Sequence, residues 1–239
     1  MDSDQMKILA IVPARGGSKG IPQKNIYPLC NKPLIYYTIK AIQKSKVITR
    51  AILSSDSEEI LNIAADYGLE APFVRPAELA QDDTPALPVI KHAVQWLEEN
   101  DNYRADYIIL LQPTSPLRTE KHIDEALSKL LNSDADSVVS VVEAPHNSTP
   151  NSIMKLEGEY LTPYLPLDEN FHLRQLKPAY YARNGAAIYA FTYNCLMKKH
   201  SIYGEKILPY LMGKDCSIDV DDLFDLKLCE LILSSMKLN

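Results

Sequence analysis

Strand-like and helix-like segments alternate over the first 142 residues, and this alternation limits the folds open to the chain more than any other feature. Short apolar runs typical of buried strands occur at residues 8–12, 50–54, 71–74, 107–111 and 137–142. Between these runs, apolar residues recur at the spacing of amphipathic helices. Fully apolar runs suit parallel strands whose two faces are both covered by helices. The pattern therefore predicts an α/β fold, doubly wound around a mostly parallel sheet.

The alternation stops between Ala144 and Ala182, where proline, histidine, asparagine and tyrosine become frequent. Residues 152–156 and 158–164 have the pattern of two short strands, and the many aromatic side chains favour an ordered flap or a subunit contact over disorder. A strand pattern returns at 186–191, and a last amphipathic helix follows. We therefore expect one Rossmann-like domain over residues 1–239, with 144–182 inserted as an arm that forms either a flap or a subunit contact.

The first apolar run ends at Pro13 in a loop that is rich in glycine and positive charge. Residues 10–25, AIVPARGGSKGIPQKN, contain three of the chain's eight glycines. Glycine lets backbone N–H groups approach phosphate oxygens closely, and Arg15, Lys19 and Lys24 add cationic side chains. The spacing matches neither G-x-x-x-x-G-K-[ST] nor G-x-G-x-x-G, so an ordinary glycine turn remains the alternative. A polyphosphate is the ligand that this loop predicts.

Charge and composition argue against several classes of partner. The net charge of −6 is unlike the basic footprint of a nucleic-acid-binding protein. No apolar stretch has the length of a membrane span, and the chain begins with polar and acidic residues, so we expect a cytoplasmic location and no membrane partner. The four cysteines are scattered without a C-x-x-C pair, which favours free thiols over disulfides or a zinc site.

Two carboxylates near the end of the chain could hold a metal ion. Asp219 and Asp221 flank the apolar Val220, so an extended backbone would turn both carboxylates to the same face. Mg²⁺ favours one or two carboxylates together with water and phosphate oxygens. Capping of the last helix by an acid is the alternative. Arg75 and Arg118 could likewise clamp an anion or form ordinary surface ion pairs.

Five ordered blocks resemble motifs of the acylneuraminate cytidylyltransferase family, the CMP-sialic acid synthetases. The blocks are ARGGSKG at 14–20, Lys24-Asn25, RPAEL at 75–79, LQPTSPLR at 111–118 and SIDVD at 217–221. The resemblance implies transfer of CMP from CTP to the anomeric hydroxyl of a nonulosonic acid, a nine-carbon 2-keto acid sugar, with release of pyrophosphate. It also implies a requirement for Mg²⁺, with Mn²⁺ as a substitute, and a homodimer whose arm reaches the partner's active site.

The same resemblance implies a role for individual residues. The nucleotide would be bound by Ala14, Arg15, Gly16, Ser18, Lys19, Asn25, Arg75 and Ala80. The sugar would be bound by Gln112, Ser115, Arg118, Arg174 and Arg183. Asp219 and Asp221 would be the metal ligands, and these two acids together with Arg15 and Lys19 would form the catalytic set.

One departure from the family pattern lies on the sugar side. A His-Pro-x-Lys element opens the family's arm, whereas residues 148–152 here read STPNS and lack the lysine that helps to bind the sugar carboxylate. Arg174 and Arg183 then become the expected carboxylate partners. We therefore favour a bacterial sialic acid analogue such as legionaminic acid, destined for a cell-surface glycan such as lipopolysaccharide or capsule. The alternatives are a nucleotidyltransferase for another sugar, such as an eight-carbon keto acid, and a noncatalytic CTP-binding regulatory module.

Overall fold

A seven-stranded sheet forms the centre of the computed structural model, which describes residues 6–165 and 178–236. The strands in chain order are β1 (Ile8–Pro13), β2 (Pro28–Leu29), β3 (Lys32–Pro33), β4 (Arg50–Ser54), β5 (Tyr107–Leu110), β6 (Ser137–Glu143), β7 (Met154–Glu157), β8 (Tyr160–Pro163), β9 (Tyr181–Arg183), β10 (Tyr189–Thr192) and β11 (Ile207–Leu211). The helices are α1 (Leu34–Lys44), α2 (Glu58–Asp66), α3 (Ala86–Asp101), α4 (Glu120–Leu131), α5 (Tyr193–Met197) and α6 (Leu223–Met236).

The sheet order is β11-β6-β10-β5-β1-β4, and β9 also pairs with β6. Strands β9 and β10 are antiparallel to their neighbours, whereas the other pairs of this sheet are parallel. The predicted α/β fold with a mostly parallel sheet is confirmed.

Helices cover both faces of this sheet because successive strand residues point to opposite sides. In β1, Ile8, Ala10 and Val12 pack into a core shared with α1, α2 and α4. Leu9 and Ile11 belong instead to a second core, to which α3 and α5 contribute. A third, smaller cluster joins α6 to α1 and β2. The doubly wound arrangement follows from this division of the core between the two faces.

No helix in the described ranges has the length and apolar character needed to cross a bilayer.

The structure differs from the sequence-based expectation at one predicted strand and at one strand that was missed. The prediction of a strand at 71–74 is wrong, because this region forms only isolated bridges, which pair Ile52 with Glu70 and Ser55 with Val74. Pro72 has no N–H to donate to a ladder, which explains why the pairing does not extend. Strand β11 was not predicted. It carries Pro209 and lies at the edge of the sheet, where a proline is tolerated.

The segment inserted after β6 contains a β-hairpin formed by β7 and β8. These strands confirm the two short strands expected there. Three large apolar side chains of the hairpin, Leu156, Tyr160 and Leu161, are each more than 60% exposed. Strand β9 then pairs with β6, so this segment returns to the sheet beside the strand that it left. Arg174, one of the two residues expected to bind the sugar carboxylate, lies outside the described residues.

The carboxyl ends of β1, β4 and β5 lie at one edge of the sheet because these three strands are parallel. The glycine loop, the turn at 55–57 and the QPTSP turn follow these strands and therefore meet at the same edge. Ligands of doubly wound sheets bind in this position.

Candidate active site

A cavity of about 420 Å³ opens at this edge of the sheet. Its wall is formed by the glycine loop, Arg75, the start of α3, the QPTSP turn and Asp221. The residues that line it include Arg15, Gly17, Ser18, Lys19, Gly20, Lys24, Asn25, Thr84, Ala86, Gln112 and Thr114. Segments far apart in the sequence therefore form one concave site large enough to hold part of a nucleotide.

Hydrogen bonds within the glycine loop hold its shape. Asn25 donates from Nδ2 to the carbonyl of Arg15 at 2.9 Å, and the backbone N–H of Lys24 donates to Ser18 Oγ at 3.1 Å. The N–H of Gly16 donates to Asp56 Oδ1 at 2.9 Å, which ties the loop to the turn after β4. Asn25 and Ser18 therefore support the loop as well as lining the cavity.

Lys24 joins the glycine loop to the acidic segment near the end of the chain. Its Nζ donates to the carbonyl of Val220 at 2.7 Å and lies 3.2 Å from Asp221 Oδ1, although Lys24 and Asp221 are 197 positions apart. A Cβ on Gly20 would come within 2.3 Å of the Asp221 carbonyl oxygen, so this approach requires glycine. Sequence reasoning placed Lys24 in the cationic loop but did not predict its contact with Asp221, because the two residues are distant along the chain.

Asp219 is held between two turns and carries a buried, unpaired oxygen. The N–H of Val220 donates to the carbonyl of Thr114 at 2.8 Å, which fixes the segment against the QPTSP turn. Gly185, at φ +68°, faces the carboxyl group so closely that a Cβ there would lie 2.1 Å from it. Asp219 Oδ1 has no hydrogen-bond partner in the described ranges. Burial raises the pKa of Asp219, and the negative charge of Asp221 adds to the rise.

Gln112 faces the cavity, as expected for a sugar-binding residue. Its side-chain oxygen accepts a hydrogen bond from Thr114 Oγ1 at 3.3 Å. Ser115, three residues along the same expected block, is buried and does not line the cavity. Arg183 also lies outside the cavity wall, where its guanidinium donates to the hydroxyl of Tyr203.

Arg118 follows the QPTSP turn, is buried and does not face the cavity. It is 2% exposed, and its guanidinium donates to the carbonyls of Gln112 at 3.1 Å and Ala187 at 2.8 Å and to Thr38 Oγ1. Burial lowers the pKa of Arg118 to about 9. The placement makes Arg118 a support for the loop that carries Gln112, whereas the sequence had suggested contact with the sugar.

Arg75 is also buried but does reach the cavity. Its Nε donates to Ser54 Oγ at 3.0 Å, and a second nitrogen donates to the carbonyl of Ser54. Burial lowers the pKa of Arg75 to about 10. Ala80, expected to bind the nucleotide with it, does not line the cavity.

Sequence reasoning missed four residues that line the cavity at and before the start of α3, namely Thr84, Ala86, Val89 and Ile90. Two residues expected to bind the nucleotide, Ala14 and Gly16, do not line the cavity. Ala14 is buried, and the neighbouring Gly17 lines the cavity where Gly16 was expected.

A sequence profile of the cytidylyltransferase family matches residues 9–230. The chain belongs to the cytidylyltransferase family. The resemblance drawn from the five sequence blocks is therefore confirmed.

Two relatives show how the similarity is distributed. The N-acylneuraminate cytidylyltransferase of Escherichia coli is 36% identical over 223 residues, which cover 93% of this chain but only 51% of that protein. The CMP-N,N'-diacetyllegionaminic acid synthase of Legionella pneumophila is 32% identical over 231 residues, which cover 95% of this chain and 97% of that protein. The chain thus spans about half the length of one cytidylyltransferase and nearly all of the other.

Among solved structures, a CMP:2-keto-3-deoxy-manno-octonic acid synthetase complexed with CTP matches with a TM-score of 0.72. The match covers 96% of this chain and 99% of that one, at 16% sequence identity. At this identity the likeness shows a shared fold.

Cytidylyltransferases typically use a divalent metal ion, and the donor set of this chain fits one. A buried carboxylate oxygen without a partner, as in Asp219, is the kind of hard ligand that Mg²⁺ or a related cation binds. The described residues hold no group of three or more His, Cys, Asp or Glu side chains placed for a metal. Asp219 and Asp221, the two acids expected from the sequence, would hold such an ion only together with substrate and water oxygens.

Proposed function

We propose that this chain transfers CMP from CTP to the anomeric hydroxyl of a nonulosonic acid and releases pyrophosphate. The proposal depends mainly on one contact: Lys24 joins the cationic glycine loop to the 219–221 segment, and both Lys24 and Asp221 line the same cavity. Support also comes from the relatives named for N-acylneuraminate and N,N'-diacetyllegionaminic acid. A noncatalytic CTP-binding module would have less need of a carboxylate oxygen that is buried without a partner.

In the proposed reaction, the anomeric hydroxyl releases its proton to solvent water as its oxygen attacks the α-phosphorus of CTP and forms a new P–O bond. The bond from that phosphorus to the bridging oxygen of the β-phosphate breaks, and the electron pair leaves with pyrophosphate. Arg15 and Lys19 bind the phosphate tail and neutralise the charge that grows on the leaving group. A bound Mg²⁺, for which Mn²⁺ could substitute, would stabilise charge on the phosphate oxygens and lower the pKa of the attacking hydroxyl.

Selection of the sugar falls to the side of the cavity formed by Gln112. Gln112 presents a donor and an acceptor to a hydroxyl or amide, and Thr114 orients it. We assign the sugar carboxylate to Arg174 and Arg183, since the arm lacks the family's lysine at 148–152. A legionaminic acid type of substrate remains our preference.

Initial rates of pyrophosphate release test the function directly. The protein is incubated with CTP, Mg²⁺ and one sugar at a time, namely N-acetylneuraminic acid, N,N'-diacetyllegionaminic acid and the eight-carbon 2-keto-3-deoxyoctonic acid. We expect release with a nine-carbon sugar and the fastest rate with the legionaminic acid.

Each other outcome selects a different function. A strong preference for N-acetylneuraminic acid would overturn the assignment of the analogue, and a preference for the eight-carbon acid would overturn the nine-carbon class. Binding of CTP without release with any sugar would favour the regulatory module.

We also propose that the chain forms a homodimer through the 144–182 arm and acts in the cytoplasm. The exposed apolar side chains of the β7–β8 hairpin support the first part of this proposal.

A further inference from the structure

Asp82 binds Arg15 and Lys19, the two cations of the cavity wall that the proposed function assigns to the phosphate tail. Arg15 donates from Nη1 to Asp82 Oδ1 at 2.5 Å, and Lys19 Nζ lies 3.0 Å from Asp82 Oδ2. The hydrogen bonds from Lys19 and Arg15 hold the pKa of the Asp82 carboxyl below its usual range. One carboxylate of the protein therefore binds both cations.

Asp82 is exposed, so its carboxylate can be displaced readily from Arg15 and Lys19. It belongs to an exposed turn ahead of α3, closed by a backbone hydrogen bond from Thr84 to Gln81 at 3.2 Å. The Asp82 side chain is 46% exposed, and Arg15 and Lys19 are its only hydrogen-bond partners in the part of the chain that the structure describes. Exposed ion pairs are weak, so a polyphosphate with several negative charges can displace the carboxylate.

Two other carboxylates that touch the glycine loop, Asp56 and Asp221, could not be displaced from it as easily as Asp82. Asp56 accepts a backbone N–H of the loop, and Asp221 lies beside Lys24 in the segment assigned to the metal. Displacing either would disturb the loop or the metal segment. Asp82 binds only the tips of two long side chains, so its departure leaves the backbone of the loop unchanged.

We propose that Asp82 is an internal anion that competes with the pyrophosphate portion of the nucleotide for Arg15 and Lys19. It weakens the binding of CTP and of the product pyrophosphate by the same factor, because both ligands need the same two cations. CTP can offset this loss through its nucleoside contacts, whereas pyrophosphate cannot. Asp82 thereby promotes release of pyrophosphate after transfer. This proposal rests on the proposed function only for the identity of the ligands.

Calorimetric binding of inorganic pyrophosphate in the presence of Mg²⁺ tests the competition without any turnover. Asp82→Asn removes the charge at nearly constant shape, and we expect the dissociation constant of pyrophosphate to fall by about threefold to tenfold, as two exposed ion pairs would require. CMP lacks the β- and γ-phosphates, so its dissociation constant should stay within twofold. Asp82→Glu keeps the charge and should bind pyrophosphate within threefold of the wild type.

Asp83→Asn is the matched control, since Asp83 is the exposed neighbour in the same turn and makes no ion pair with the loop in the described ranges. It should leave pyrophosphate binding unchanged. The gain in Asp82→Asn should also shrink at high salt, because ions screen exposed charges.

A higher dissociation constant in Asp82→Asn would overturn the proposal and make Asp82 a positioning residue for Arg15 and Lys19. A value within twofold of the wild type would also overturn it and leave only an inert surface pair. Because these measurements need no sugar, a failure of the proposed transferase activity would be seen separately, as absence of pyrophosphate release with every sugar.

Discussion

The ionised form of Asp219 that a metal ion would bind is also the form that destabilises the fold. Asp219 is half-buried, its buried Oδ1 has no hydrogen-bond partner in the described ranges, and burial raises its pKa. A raised pKa means that the folded state holds a proton that the unfolded state has lost, so ionised Asp219 destabilises the fold above its usual pKa. Such a cost is expected of a group kept for a ligand.

Asp219→Asn should therefore raise the melting temperature of the metal-free protein while reducing turnover by about 100-fold or more. The stability gain should be largest at neutral and alkaline pH and should fall towards zero as the pH drops below about 4, the usual aspartate pKa, because the carboxyl then becomes protonated in both states. Differential scanning fluorimetry across this pH range and steady-state rates measure the two effects. Asp221→Asn, at an exposed carboxylate, should lower turnover without the gain in stability. An unchanged rate in both variants would refute the metal assignment.

Gly185→Ala should lower both stability and turnover. The new Cβ would lie 2.1 Å from the carboxyl group of Asp219, and the residue is at φ +68°. Gly158, in the β7–β8 turn, provides a control because it has a similar φ of +64° and a Cβ added there would meet no atom within 4 Å. Gly158→Ala should cost only the backbone strain of about 1–2 kcal/mol, measured by urea unfolding, and should leave the rate unchanged. Equal losses in the two variants would show that Gly185 does not position Asp219.

Among the elements, β11 depends on a turn that is organised by Asp136. The Asp136 carboxylate accepts hydrogen bonds from Lys199 Nζ at 2.8 Å and from the backbone N–H groups of Glu205 at 2.8 Å and Lys206 at 3.1 Å. These contacts, led by the one from Lys199, lower the pKa of Asp136 to about 2. They position the chain for its entry into β11, which pairs with β6.

Asp136→Asn should reduce the free energy of unfolding by about 1–2 kcal/mol at pH 7, since it weakens charge-assisted hydrogen bonds. The lowered pKa means that this stabilisation is present above pH 4 and is lost as the pH falls towards 2, so the two proteins should converge in acid. Chemical denaturation at pH 7 and pH 2 measures the difference. Asp134→Asn is the control, because Asp134 forms a more exposed pair with Lys206 and should change stability less. A difference that persists at pH 2 would contradict the assignment to the ionised carboxylate.

At the scale of the whole molecule, the exposed apolar hairpin suggests assembly. Leu156 and Leu161 are 70% and 65% exposed and lie opposite each other in the β7–β8 ladder. A double change to glutamate should convert a dimer to a monomer, as measured by sedimentation velocity, because a buried apolar contact would acquire two charges. Leu231→Glu on α6 is the control, at a leucine with 69% exposure outside the arm. A dimer that persists in the hairpin variant would exclude this surface as the main interface.

The sequence by itself determined the class of fold, the order of most elements and the family. These features depend on local patterns: the apolar alternation of the strands, the Ser57 cap of α2, which accepts from the Ile60 N–H, and five blocks of motif residues. It also indicated a phosphate loop and a pair of acids. The functions of these two groups remained open because each has an ordinary structural alternative.

Only the tertiary structure decided which charged side chains meet. Lys24 and Asp221, or Arg15 and Asp82, come together through packing of distant segments, and no local pattern records such a pairing. Both Arg75 and Arg118 are buried, and only their position relative to the cavity distinguishes these two arginines, which looked equivalent in the sequence. Arg75 reaches the cavity, whereas Arg118 is enclosed by carbonyl groups of the fold. The role of a charge depends on its solvent exposure and partners, and these are properties of the folded chain.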